Sequence, residues 1–307
     1  MANPNHDPPQ PIVHPLFDAT TRIWQYVVAD PSTSHAVIID AILLPDSSAL
    51  ISTQPADDIL ALIRQKKYVI EWILETSELS PRSTYRSAAY YLRMQLLEKQ
   101  TFAPRICSPN GAVSNFKSFF ARKYASMLST NFDNTQPRDG ENIPVGQMYV
   151  MPLSLPGLGS RNAKGYLIGT NVFGAYTLLH IQQAMQDPSF AENFDIASMS
   201  ETHCNELWTS VQRVLGMPFD FRIWFDRGQG FGKAGEGRAV RFEGEEKGEA
   251  EGKENFATVV ECRNQNKDMR SVGEEFMGRW ADARERRERE AVVGVASSRK
   301  KGWKQAH

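Results

Sequence analysis

Two β-branched and aromatic runs, Trp24-Gln25-Tyr26-Val27-Val28-Ala29-Asp30 and Ala36-Val37-Ile38-Ile39-Asp40, flank the turn Pro31-Ser32-Thr33-Ser34 and predict a hairpin near the start of the chain. Next comes Pro55 to Arg64, where Ile59, Leu60, Leu62 and Ile63 fall at helical spacing behind a proline near the helix start. A third run, Val69-Ile70-Glu71-Trp72-Ile73-Leu74, has the length of a buried strand. The order strand, strand, helix, strand points to a layered α/β domain rather than a helical bundle or an all-β sandwich.

The same alternation continues. Ala88 to Lys99 puts Ala89, Leu92, Leu96 and Leu97 on one helical face, so residues 75–87 form a strand-to-helix loop, a usual place for chemistry in such folds. Strands are expected at Gln147 to Met151 and Gly165 to Gly169, with the glycine-punctuated loop Leu155 to Asn162 between them. Helices follow at 176–186 and 203–215, and Phe221 to Phe225 reads as a last strand. From Gly228 to Asn255 the chain turns to Gly, Glu, Lys and Arg and is too poor in apolar residues to offset its ordering entropy. Val272 to Glu290, with Phe276 and Trp280 four residues apart, predicts an amphipathic helix with a charged end. The expected organisation is a disordered N-terminus at 1–16, the domain at 17–227, a charged insertion at 228–255, the domain's C-terminal part at 256–290 and a basic tail at 291–307.

With 307 residues, 41% of them hydrophobic, the chain has enough apolar surface for a substantial core. A net charge of -1 gives no broad attraction to nucleic acid or an anionic membrane, so neither is expected as a partner. Cys107, Cys204 and Cys262 are odd in number and far apart, which argues against a disulfide framework and for a reducing compartment. The first sixteen residues lack the apolar core of a signal peptide, and no run approaches the roughly 20 apolar residues of a membrane span. The expectation is a soluble, cytoplasmic protein.

Several blocks resemble the metallo-β-lactamase fold, in its glyoxalase II and persulfide dioxygenase branch. Phe17-Asp18, Thr20-Thr21 and Trp24 to Asp30 are similar to that branch's opening hairpin, with Ala36 to Asp40 as its second strand. Trp72-Ile73-Leu74-Glu75-Thr76 resembles the strand leading into the metal motif, and Ser87 to Arg93 the helix leaving it. Asp139-Gly140-Glu141 with Val145-Gly146 is similar to the strands before the third ligand. Leu155-Pro156-Gly157-Leu158 takes the place of Thr-Pro-Gly-His, and Tyr166 to Thr170 that of a strand ending Gly-Asp. Thr258-Val259-Val260-Glu261, Asn266 and Glu274-Glu275-Phe276 resemble the branch's C-terminal positions. The resemblance implies an αββα sandwich: two mixed β-sheets face to face, helices outside, and a site at one edge.

The family's chemistry needs imidazole and carboxylate ligands to hold zinc or iron with open positions. This chain has no histidine between His35 and His180; Leu158 stands at the Thr-Pro-Gly-His position, Thr170 at the Gly-Asp position, and Phe225-Asp226 at the last-strand His-Asp position. The expectation is therefore no metal and no other cofactor.

Two readings stay open. One is a pseudoenzyme, a binding or accessory module with Leu79, Leu158 and Phe225 filling the former site. The other is a metal-independent enzyme, a hydrolase or lyase of a biosynthetic pathway, with candidate groups Glu78, Arg82, Tyr85, Thr170 and Asp226 beside Ser77. A small-molecule ligand in the former cleft suits both, and a homodimer is compatible with the family.

Each candidate also has a structural reading. Glu78 and Arg82 pair at the surface; Tyr85 and Thr170 are satisfied hydroxyls; Asp226 caps the loop opening the insertion. Ser77 lacks a neighbouring histidine to activate it. His180 reads as a helix-face residue, Glu201 and Glu206 around His203-Cys204 as the acidic first turn of a helix, and Cys107 as a small buried hydrophobe.

Overall fold

The structure, a computed structural model, describes residues 10–45, 51–77, 85–109, 137–157, 162–179, 201–226 and 255–265. The first sheet joins β1 (Ile12–Asp18), β2 (Ile23–Ala29), β3 (His35–Ile39), β6 (Val69–Leu74) and β8 (Arg105–Cys107) in the order β1-β2-β3-β6-β8. A small sheet pairs β4 (Ile42–Pro45) with β5 (Ile51–Ser52) and β7 (Arg86–Ser87). The second large sheet runs β14-β13-β12-β11-β10-β9, formed by β9 (Ile143–Val145), β10 (Met148–Ser154), β11 (Lys164–Ile168), β12 (Asn171–Phe173), β13 (Arg222–Trp224) and β14 (Phe256–Thr258). Both are mixed: β3-β6, β6-β8 and β12-β13 are parallel pairs, and the rest are antiparallel. The described helices are α1 (Gln54–Lys66), α2 (Ala89–Leu97), α3 (Tyr176–Leu179), α4 (Glu201–Leu215) and α5 (Val259–Gln265).

Strand periodicity explains the layers. Along β2, Trp24, Tyr26 and Val28 point to one face and join Val37, Ile39, Trp72 and Leu74 against Val150, Tyr166, Ile168, Phe173 and Trp224 of the second sheet. The alternate residues Val27 and Ala29 join Ala36, Ile38, Ile70 and Ile73 under Ile59 and Ile63 of α1 and Leu92 and Leu96 of α2. On the far side Val172 and Ile223 pack under Leu178 of α3, Leu207 and Val214 of α4, and Val259 of α5. The result is an αββα sandwich. Every residue of β2 is buried because both faces of its sheet are covered, and each such large side chain contributes about 1.5–3 kcal/mol.

The hairpin, α1, β6, α2 and the second-sheet strands β10, β11 and β13 lie where the apolar patterns place them, whereas β9, β12 and β14 were not expected. Strand β1 differs: it begins at Ile12, inside the stretch expected to be disordered, and pairs along its length with β2. It contains Pro15, which is tolerated because β1 lies at the edge of its sheet, where a missing N–H costs little. The charged insertion apart from Asn255, the helix expected at 272–290 and the tail lie outside the described residues. Among the described residues, no helix is long and apolar enough to cross a membrane.

Candidate functional site

The parallel strands β3, β6 and β8 end on the same edge of the sandwich, so the residues that follow them are brought together. These are Asp40 after β3, Glu75 and Thr76 after β6, and Cys107 and Ser108 at the end of β8. The second sheet brings Gly174 after β12, Asp226 after β13, and Lys164 at the start of β11 to the same end. Backbone hydrogen bonds close the edge: Lys164 N–H to Thr76 O at 2.7 Å, Glu75 N–H to Cys107 O at 2.9 Å, and Trp24 N–H to Asp226 O at 3.2 Å.

Asp40 is the hub. Thr76 donates its backbone N–H to Oδ1 at 2.8 Å and its hydroxyl to Oδ2 at 2.7 Å. Gly174 lets β12 approach, since a Cβ there would stand 2.5 Å from Thr76 Cγ2, and its φ of +75° suits glycine. Burial drives the Asp40 carboxyl up to about 7; the two Thr76 hydrogen bonds oppose that rise, and repulsion from Glu75 and Asp226 adds to it. Asp40 nevertheless keeps part of its surface exposed. A partly exposed carboxyl that titrates near neutrality is suited to proton transfer.

The neighbours are bound into the same framework. Burial raises Glu75 above the usual carboxyl range, against hydrogen bonds from Ser108 and Ser87. Tyr166 donates to Glu75 O at 3.0 Å and to Cys107 Sγ at 3.4 Å, and Lys164 Nζ lies 3.8 Å from that sulfur. Burial pushes the Cys107 thiol up, with Tyr166 and Lys164 pulling it back, which favours the neutral thiol over a reactive thiolate. Asp226 accepts the Thr177 N–H at 3.1 and 3.2 Å and the Thr177 hydroxyl, so it anchors the start of α3.

Of the residues singled out in the sequence, Asp226 joins this group and caps the start of α3 through Thr177; the insertion it was expected to border lies outside the described residues. The Tyr85 ring is buried with Ile23 and Ile42 beside the small sheet. Thr170 lies in the turn between β11 and β12, donating to Gln10 Oε1 at 2.9 Å, at the opposite end of the sandwich. The Gly-x pair that reaches the Thr76 end is Gly174-Ala175, and Ala175 is fully buried and offers no donor atom. Ser77 follows Thr76 and is partly exposed. Glu78, Arg82, Leu79, Leu158 and His180 lie outside the described residues, as do the side chains of His203 and Cys204. Among the described residues, no group of three or more His, Cys, Asp or Glu is arranged to hold a metal ion.

Sequence reasoning missed Asp40, Glu75, Lys164 and Tyr166 as site residues. The available signal was an acidic residue directly after two apolar strands, Ile39-Asp40 and Leu74-Glu75.

No family model matches the chain. A solved structure of ETHE1 from Myxococcus xanthus superposes with a TM-score of 0.54 at 17% identity, covering 88% of this chain and 90% of that one. The chain has the metallo-β-lactamase fold. A β-lactamase hydrolase-like protein of Xylella fastidiosa (strain Temecula1 / ATCC 700964) is 30% identical over 218 residues, 70% of this chain and 46% of that protein. Glyoxylase B2 of Dictyostelium discoideum is 24% identical over 223 residues, 69% of this chain and 68% of its own length. The chain spans about half the length of the β-lactamase hydrolase-like relatives it matches. The strand ends that carry Asp40 and Asp226 lie together at one edge of this metallo-β-lactamase fold.

Proposed function

We propose that this metallo-β-lactamase-fold protein works without the family's metal, as a cytoplasmic binding or accessory module whose strand-end cleft takes a small molecule. The observation that carries this reading is the contrast between framework and donors. The Asp40 carboxylate is held by Thr76 and the Asp226 carboxylate by Thr177, while Ser77 and Ala175 at the same edge carry neither an imidazole nor a carboxylate. The neighbouring stretch Glu78 to Thr84 contains no histidine, and Leu158 follows Pro156-Gly157. A zinc or iron site with open positions needs three or more such ligands, and this donor set does not fit it.

The second reading is a metal-independent enzyme, and one observation favours it. Asp40 is partly exposed with its carboxyl raised to about 7, so it is available as a general base or acid at neutral pH, with Asp226 beside it. Glu78 and Arg82 remain candidate partners in that chemistry.

A small-molecule screen by thermal shift tests the proposal, with D40N and D226N as controls. Ligands that raise the wild-type Tm and lose their effect in either variant support it, and turnover of such a ligand favours the second reading. Hydrolysis that appears only on adding zinc or iron sinks both.

A further inference from the structure

The corner where α4 leads into β13 carries an apolar surface that the described residues leave open. Phe219 is 59% exposed and Val260, in the first turn of α5, is 40% exposed. Val260 N–H bonds Phe219 O at 3.1 Å, which holds the two side by side. Arg263 fixes the ring as well: it donates Nε–H to Leu215 O at the end of α4 at 2.6 Å, and its guanidinium lies 4.5 Å from the centre of the Phe219 ring. Pro218, next in the chain, is also exposed. An isolated exposed apolar side chain needs no explanation, but neighbouring ones locked in place from two helices form a prepared contact surface.

The chain supplies its own occupant. Helix α5 ends at Gln265, about 8 Å along its axis from Val260, and the chain continues from there to residue 307, outside the described residues. In that continuation Val272, Phe276 and Trp280 recur every four residues, with Ala283 on the same helical face and Glu274, Asp282 and Glu285 away from it. The connector 266–271 reaches about 20 Å when fully extended, enough to turn back to Phe219. Such a short tether gives an effective concentration of about millimolar, so a modest apolar face suffices for docking.

We infer that the segment Val272 to Ala283 docks on the Phe219–Val260 corner as an amphipathic helix, with Phe276 and Trp280 against the Phe219 ring. The contact is intramolecular and independent of the strand-end cleft. It closes this corner to other partners.

Hydrogen–deuterium exchange of the full chain, read by mass spectrometry, tests this. In the wild type the amides of 272–283 are expected to exchange at least about tenfold more slowly than in an unstructured peptide. F219S, V260D and W280S are each expected to abolish that protection while β2 stays protected. V260D keeps the result readable if F219S disturbs the fold, because an acidic residue suits the first turn of α5. L97S, at another exposed apolar side chain, is the control and is expected to leave 272–283 protected. Exchange of 272–283 at the unstructured rate in the wild type would overturn the proposal. So would protection that V260D and W280S leave in place, which would seat the segment elsewhere. Protection that appears only as protein concentration rises, together with a dimer mass in light scattering, would give the corner to a second copy of the chain instead.

Discussion

The two ends of the sandwich both carry buried or partly buried carboxylates, and they treat them in opposite ways. At the end where β2 turns into β3, Asp30 accepts four hydrogen bonds, from Ser32 N–H and hydroxyl, the Thr33 hydroxyl and Gln147 N–H, and so ties the first sheet's hairpin to the turn before β10. Glu71 adds a second tie, pairing with His35 and accepting Gly146 N–H at 3.1 Å. Burial works to raise the Asp30 carboxyl, but the donors of Ser32, Thr33 and Gln147 outweigh it and hold the group well below the usual range. At the other end Asp40 has donors from one residue, faces Glu75 and Asp226, and is raised to about 7. The comparison teaches that one edge spends its carboxylates on joining the sheets, and the other keeps a carboxyl near its neutral point.

The largest expected effect breaks the joined end. Gly146 has a φ of +58°, and a Cβ there would collide with the Thr33 hydroxyl and lie 2.5 Å from Asp30 Oδ2. Gly146→Ala should cost about 3 kcal/mol in urea unfolding, from the strained backbone together with displaced Asp30 contacts. A loss within about 0.5 kcal/mol, the range of ordinary surface substitutions, would mean that this junction does not hold the sheets together.

The next prediction sets the two aspartates against each other in pH. Between its ordinary value of 3.8 and about 7, folded Asp40 holds a proton that the unfolded chain has released, so stability from this group declines as pH rises through that window. The total is on the order of a few kcal/mol, and D40N should flatten the slope. Asp30 has the opposite sign: its contribution is complete above the ordinary aspartate range and is lost only on acidification, so D30N should lower stability by a constant amount between about pH 5 and 8. Equal slopes in wild type and D40N would contradict the assignment of Asp40.

A smaller effect is expected at Thr76. Thr76→Val removes the hydroxyl donor to Asp40 Oδ2 and should cost about 1 kcal/mol near neutral pH, moving the upper end of the pH slope higher. The smallest effect belongs to Thr170→Ala, which removes a contact to the Gln10 side chain in an exposed turn and should change stability by less than about 0.5 kcal/mol. An effect of Thr170→Ala on ligand binding would contradict its position away from the site.

What the sequence could reveal follows from range. The apolar strands and amphipathic helices of the core were legible because their periodicity is local: Trp24, Tyr26 and Val28 alternate with Gln25, Val27 and Ala29 whatever they pair with. Strand β8 was not legible, since Arg105-Ile106-Cys107 is too short to show a period. The site depended on pairings that no local window contains. Asp40 meets Thr76 because β3 and β6 run parallel with Ile39 opposite Leu74. Gly169-Thr170 and Gly174-Ala175 are similar pairs five residues apart, and only the hairpin register, Tyr166 opposite Phe173, assigns the first to a turn and the second to the site end.

The most direct measurement is the metal content of purified, untagged protein by elemental mass spectrometry, after incubation with zinc and with iron(II) and then desalting. The account predicts far less than one ion per chain, with no change in D40N or D226N. A near-stoichiometric ion that D40N or D226N removes would contradict it, making the strand-end carboxylates part of a metal centre.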